Sequence, residues 1–414
     1  MNEQTQPVER VIGLDGHPHS FTAAIVRGPT PLAAIVEKVF NKVPMSQLPS
    51  WAKKHTTERD LIVLESSGNS FQIARTLESV GRRAKVLESC QMGKLKEAHA
   101  NNDKISAVRI AKAYLAGTAK EVWVPDQKTQ ERRDWFHAHR KAVKRAGQVC
   151  CRLQSYLSDN GVHLAQGTAL AEEPIRQARS WSPRQWQVIG GLLMELRHAE
   201  EQCQHWRSLI AQEVLQDPEL LSIVRLCGVR EMVAFALGCF IGDIHRFGSA
   251  KKLVKYVGLN PAFDDSGENE WHGGIGGHGR KDLRCLLIEA AHSILRCSKT
   301  DLAKWGKKLL ARKGEINLVV AAIARKLTVA VWYLLMGRWT PLQEIDERLE
   351  IKIGKMITNV GAKGLKALGK ERQVFRQEIR QSLKTGRVYV LDPNKKFEPK
   401  ASVSTEPAAV GSKP

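Results

Sequence analysis

The sequence predicts an α/β domain followed by a mostly helical remainder. Three observations predict it. Short apolar runs alternate with helix-period segments as far as residue 125. The strand signal disappears after residue 127. From there apolar residues recur at spacings of three and four. The chain has 414 residues, too many for one ordinary core, so two or three domains are expected. Hydrophobic residues make up 43% and charged residues 26%, the balance of a globular protein rather than a disordered one.

Residues 11–15 (VIGLD) and 21–26 (FTAAIV) read as strands joined by the turn GHPHS. A third strand is LIVLE, 61–65. FQIARTLESVG suits a helix that stops at Gly81, and AKVLE (84–88) is another strand. Residues 103–117 are helical by the spacing of Ile105, Val108, Ile110, Ala111 and Leu115. EVWVP (121–125) closes a domain over 1–125 with a mixed sheet.

Residues 126–215 read as a helical coiled-coil arm. Its first half, 128–158, is rich in Arg and Lys. Its second half carries Trp186, Ile189, Leu193, Leu196, Cys203, Trp206 and Ile210 as a seam. The arm is either a spacer or an oligomerisation or RNA-contacting element. Residues 216–345 form a compact helical domain interrupted by an irregular Gly-rich loop, 256–282, with helices following at 282–297 and 315–336. Residues 346–414 are a basic helical extension that becomes a Pro/Ser/Lys-rich tail, predicted disordered after about residue 390.

There are 64 Lys and Arg against 43 Asp and Glu, a net charge of +21. A surplus of that size favours a polyanionic partner, because neutralising phosphates releases condensed counterions. The eight cysteines form no CxxC pair, so zinc is not indicated, and their scatter suits reduced thiols in the cytoplasm. MNEQTQPVER lacks an apolar signal core. The longest apolar stretch, Leu318 to Met336, holds Arg325 and Lys326 at its centre, which predicts a buried helix with a basic face and no membrane span.

Asp15 and Glu65 each end an apolar strand, and Asp103 opens a helix. Acids at strand ends can converge on one sheet edge and hold hard divalent cations, for which Mg²⁺ is the natural metal. Each acid is equally readable as a solvated loop residue or a cap. His17 and His19 fall in the first turn and read as exposed hairpin residues or outer-shell ligands. Ser266 lies in DDSG, beside Asp264 and Asp265, where a flexible backbone can present it to a phosphate. An ordinary polar turn reads the same way. His272, His278, Arg280, Lys281 and Arg284 surround it as candidate phosphate contacts, with Arg325 and Lys326 further on. GGIGGHG lacks the GK[ST] of a P-loop, which excludes nucleotide hydrolysis on that motif.

The order GLDxHxxS, LIVLESSG, NDKISA, YVGLNP, DSG, GGHGRKDLR and IARKL, over residues 10–345, resembles the insertion-sequence family one-ten transposases, also called DEDD transposases. Some of these are bridge-RNA-guided recombinases. The resemblance implies a RuvC-like (RNase H-like) N-terminal domain in which Asp15, Glu65 and Asp103 match the first three metal-binding acids. It implies that Ser266 attacks the scissile phosphate and forms a covalent serine–DNA link in strand cleavage and rejoining. It further implies Mg²⁺, DNA at element ends and target, a noncoding guide RNA, and a homo-oligomer, dimer or tetramer, with composite sites.

Two departures stand out. Ser106 occupies the slot of the fourth acid, as an uncharged metal or water ligand. LCGVR (226–230) replaces the family's IPGIG, so Arg230 stands where a turn glycine would. Two other functions remain open: a Holliday-junction-resolvase-like nuclease in which Ser266 is idle, and a catalytically inactive DNA- or RNA-binding relative.

Overall fold

The computed structural model describes residues 9–89, 103–165, 167–266, 269–276, 278–338, 340–343 and 345–385. The chain divides into two compact units, Met1–Asp126 and Gln127–Pro414. The tail beyond 390 and Cys90 lie outside the described residues.

The first unit contains β1 (Val11–Gly16), β2 (Ser20–Arg27), β3 (Ile35–Pro44), α1 (Leu48–His55), β4 (Leu61–Glu65), α2 (Ser70–Ser79), β5 (Arg83–Leu87), α3 (Asp103–Leu115) and β6 (Glu121–Val122). It is a mixed sheet of six strands in the order β3-β2-β1-β4-β5-β6. β1, β2 and β3 form an antiparallel meander. β4 and β5 then run parallel to β1, and β6 is antiparallel. Strand alternation sends Ile12, Leu14, Ile62 and Leu64 to one face, where Ile73 and Leu77 of α2 and Trp51 of α1 cover them. Val11, Leu61 and Val63 point to the other face, beneath Ile110 and Ala111 of α3.

β3 has no counterpart in the sequence reading. It is an edge strand with a largely exposed burial pattern, and its interspersed charges (IVEKVFNKVP) break the apolar run that marks an inner strand. α3 also differs in its buried face. Ala107, Ile110, Ala111 and Ala113 face the sheet, while Ile105 is 42% exposed. Small residues face inward because the helix lies almost on the backbone of β1.

The second unit contains α4 (Gln127–Asp159), α5 (Glu172–Ala178), α6 (Pro183–Gln216), α7 (Pro218–Val224), α8 (Glu231–Ile241) and α9 (Ala250–Val257). A ribbon of β7 (Pro261–Ser266) and β8 (Asn269–Ile275) follows. α10 (Lys281–Cys297), α11 (Asp301–Lys313), α12 (Ile316–Leu335), α13 (Leu349–Ala367) and α14 (Arg372–Thr385) complete it. α4 and α6 have 33 and 34 residues, so each extends about 50 Å. Their distal halves pair through Val149, Leu153 and Leu157 against Ile189, Leu193 and Leu196. Their proximal ends, with Phe136, Ile210 and Val214, enter the main helical core. Cys203 and Trp206 are only half-buried, so the seam is carried by aliphatic residues.

α12 is a core helix, burying Val319, Val320, Ile323, Leu327 and Val331 and leaving Arg325 exposed. Residues 261–266 and 269–275, read from sequence as part of an irregular loop, are instead the two strands of a ribbon. The Gly pair at 273–274 and the acids at 264–265 hide the period-two signal that would have marked it.

His139 on α4 is 5% exposed, and among the described residues neither ring nitrogen has a hydrogen-bond partner. Burial, with Arg207 and Arg140 nearby, pushes its pKa down to about 4. The neutral ring is therefore the folded form, and the unfolded chain binds the extra proton between about pH 6.5 and 4. Its contribution is complete above pH 6.5 and is lost as pH falls through that window. We expect His139→Leu to flatten the acid side of the stability–pH profile by about 3 kcal/mol, measured by urea denaturation at stepped pH. Parallel profiles for variant and parent would exclude this role.

Candidate active site

The carboxylates are positioned by the strands. β1 and β4 are parallel and in register at Leu14↔Leu64, so Asp15 and Glu65 follow side by side at the C-terminal ends of neighbouring strands. Both continue the alternation of Val11, Leu61 and Val63, which places them on the α3 face.

α3 brings the third acid. A Cβ on Gly13 would overlap the carbonyl oxygen of Ala107 and lie 2.9 Å from the nitrogen of Ala111. Only glycine at that strand position lets α3 approach so closely. Asp103 stands one turn before Ala107, at the helix start, and so arrives over the end of β1.

Asp15, His17 and Asp103 form one group whose ligand atoms all lie within 4.8 Å of one another. His17 Nε2 is 3.5 Å from Asp103 Oδ1. The turn that carries His17 is held by its own N–H donating to Ser20 O (2.8 Å) and by Asn69 Nδ2 donating to His17 O (3.0 Å). His19 lies on the same turn but outside this group. Glu65 and Ser106 are half-buried, and neither belongs to the group of three, although Glu65 stands on the adjacent strand. Two carboxylates and one imidazole make a possible metal site in which hard oxygen donors dominate. His17 is exposed in the hairpin turn, as the sequence suggested, and it also joins the two acids. The available signal was its two-residue distance from a strand-end acid within a tight turn.

The serine hairpin lies in the other unit. Ser266 is the last residue of β7, paired in register with Asn269 at the ribbon tip. The side chains of Ser266, Asp264, Asp265 and His272 lie outside the described residues. The hairpin base is well defined. A Cβ on Gly258 would overlap the carbonyl of His278, and Arg280 N–H donates to Tyr256 O at 2.9 Å. Arg284 donates to both Val257 O (3.2 Å) and His278 O (3.0 Å). These contacts give YVGLNP and GGHGRKDLR a structural purpose, joining α9 to the start of α10.

The candidate phosphate contacts divide accordingly. Arg284 is engaged in that clamp, and Arg280 lies over the Phe240 ring at 4.2 Å, with Asp282 at 3.9 Å. His278, Lys281 and Arg325 are exposed. Lys326 lies over Trp305 at 4.5 Å. At the LCGVR turn, Arg230 bonds Glu231 at 3.2 Å, and Glu231 also accepts from Asn359 at 2.9 Å. A buried carboxylate thus stands at the start of α8.

The first unit is mixed α/β with acids at strand ends, and the second is helical with a two-stranded ribbon that includes Ser266. The Transposase IS116/IS110/IS902 family pattern matches residues 222–305, from the end of α7 into α11. The chain is 26% identical over 287 residues to a transposase for insertion sequence element IS1111A of Coxiella burnetii, covering 67% of this chain and 78% of that protein. It is 24% identical over 284 residues to a probable family 20 transposase of Pseudomonas aeruginosa, covering 66% and 83%. It is 22% identical over 304 residues to a transposase for insertion sequence element IS1328 of Yersinia enterocolitica, covering 72% and 89%. These likenesses support a transposase of the IS110/IS116/IS902 type.

Proposed function

We propose that this chain is an insertion-sequence transposase that cleaves and rejoins DNA through a covalent serine–DNA link at Ser266, with Asp15, Glu65 and Asp103 holding Mg²⁺. The observation that carries the metal part is the meeting of Asp15, His17 and Asp103 at the sheet edge, with Glu65 on the neighbouring strand. The sheet order, an antiparallel meander continued by parallel strands, supports a RuvC-like fold for the first unit. The relatives named above support the transposase reading.

In this reading Asp15, Asp103 and Glu65 supply charged oxygen ligands, and His17 or Ser106 fills a neutral position. Bound Mg²⁺ supplies electrostatic stabilisation of the charge that develops on the phosphate oxygens. Ser266 Oγ bonds to phosphorus as the bond to one strand end breaks. The serine proton passes to a base, and the departing strand end is protonated to a hydroxyl. The phosphodiester energy is kept in the serine link, so rejoining needs no nucleotide. His278, Lys281 and Arg325 contact phosphates. A noncoding bridge RNA guides target choice, and a dimer or tetramer assembles the composite sites.

The test is recovery of DNA attached to denatured protein from cells that carry the gene with its native flanks. Wild type is expected to yield an adduct and Ser266→Ala none. Glu65→Ala is expected to cut about a hundredfold more slowly or worse. Strand cutting without an adduct would replace this reading with a resolvase-like nuclease that uses water.

A further inference from the structure

We propose that α11 is a docking helix for the DNA backbone, with Lys304, Lys307, Lys308, Arg312 and Lys313 lying along one duplex. The proposal rests on the DNA-processing reading above. α11 buries Leu302, Ala303, Gly306 and Leu309 against the helical unit. That leaves all five cations on the solvent side. Lys304, Lys308 and Arg312 are spaced by four, so they form a row rising about 6 Å per step, and Lys307 flanks it.

A charged helix face is most often just solvated, but this one is unbalanced. Asp301 is the only acid in the helix, and its ion pair with Lys304 (2.8 Å) lies between side chains 65% and 82% exposed. Such a pair contributes little. Like charges four apart destabilise a helix. Arg312 and Lys313, in the last turn, suit the helix dipole, but the repulsion between Lys304 and Lys308 is relieved only when a polyanion covers the row and releases counterions.

The neighbouring elements show which helix is presented. α11 and α12 form a helix–turn–helix around Gly314, but α12 is a core helix and cannot enter a groove. Lys326 of α12 sits over Trp305 of α11 at 4.5 Å. The first turn of α12 exposes Ile316 and Leu318 at 45% and 46%. The matched family pattern ends at residue 305, so the row from Lys307 onward lies beyond it.

Duplex DNA fits this face better than RNA. The single aromatic of α11, Trp305, is half-buried beneath Lys326, so the helix offers no free ring on which an unstacked RNA base could lie. The wide major groove of B-DNA accepts a helix, whereas that of A-form RNA is deep and narrow.

The test uses the full-length triple variant Lys307→Gln, Lys308→Gln, Arg312→Gln. Binding to a labelled DNA duplex is followed by fluorescence anisotropy across a salt series, with an RNA duplex in parallel and circular dichroism melting to verify the fold. The slope of log affinity against log salt is expected to fall by about 2–3, with at least about a tenfold loss of affinity. An unchanged slope and affinity, or a loss confined to RNA, overturns the docking helix. If that variant behaves as wild type while wild-type protein still cuts DNA, only the docking assignment fails. If wild type does not bind DNA at all, the transposase reading fails with it.

Discussion

Replacing Gly13 with alanine is expected to dislodge α3 and separate Asp103 from Asp15 and His17 while leaving all three residues unchanged in the sequence. The added methyl would meet backbone on two sides, the carbonyl of Ala107 and, at 2.9 Å, the nitrogen of Ala111. Neither can rotate away as a side chain would, so α3 must translate off the sheet. Overpacking in a well-filled site costs about 1–3 kcal/mol, and a backbone obstruction belongs at the upper end or beyond. The displacement also carries Asp103 away from Asp15 and His17. Calorimetry should show a lowered transition for the first unit, and titration with Mn²⁺ or Mg²⁺ should show weakened binding. Gly16→Ala is the control for added bulk on the same strand. Its methyl would crowd the flexible Ile73 Cδ1, at 2.6 Å, and otherwise meet only side-chain atoms at ordinary contact distance, Leu14 Cδ2 (3.6 Å) and Asn69 Oδ1 (3.8 Å). Equal behaviour of the two variants would refute the close-approach role of Gly13.

The second large effect concerns the buried ion pair of the helical unit. Lys352 and Asp346 are 8% and 9% exposed and 2.7 Å apart. Lys352 Nζ also donates to Val224 O (3.1 Å) and Leu226 O (2.8 Å), which ties α13 to the end of α7 and the turn that follows. Burial pushes the Lys352 pKa down, and Asp346 opposes that shift. Asp346→Ala leaves a buried ammonium facing only carbonyls, and losses of this kind run to about 3–5 kcal/mol. The double variant Asp346→Leu, Lys352→Met should recover much of that loss, because no buried charge remains.

The pH dependence gives a second signature. Without Asp346 the folded-state pKa of Lys352 falls further, so the unfolded chain binds the additional proton between that lowered value and 10.5. The deficit of Asp346→Ala is therefore greatest near neutrality and shrinks as pH rises through that window. Urea denaturation at pH 7 and pH 9.5 would measure it, and a deficit that grows at high pH would contradict the assignment.

Much of the first unit was legible because its inner strands are continuous apolar runs whose ends are marked by acids. That punctuation singled out Asp15 and Glu65 at strand ends and Asp103 at a helix start as candidates, and the structure brings Asp15 and Asp103 together with His17, not with Glu65. β3 was not, because an edge strand facing solvent need not be apolar. The ribbon strands over 261–266 and 269–275 were hidden because Asp264, Asp265, Gly273 and Gly274 interrupt the period-two signal. His17 is the exposed hairpin residue that the sequence suggested, but its approach to Asp103 depends on how α3 packs and is not written locally. Its side chain is 48% exposed and still stands beside Asp103.

By itself the sequence determined the basic character of the chain, the passage from α/β to helical structure near residue 126, and the residue types able to carry phosphate chemistry. Those properties depend on local composition and on periodicity. Only the tertiary structure decided that Asp15, His17 and Asp103 meet, that Arg284 clamps the hairpin base, and that α11 presents its cations outward. Each of these depends on elements far apart in the chain, and their approach is set by packing, above all the absence of a side chain at Gly13. Local sequence records which groups are present, whereas the distance between them follows from how closely the backbones can pack.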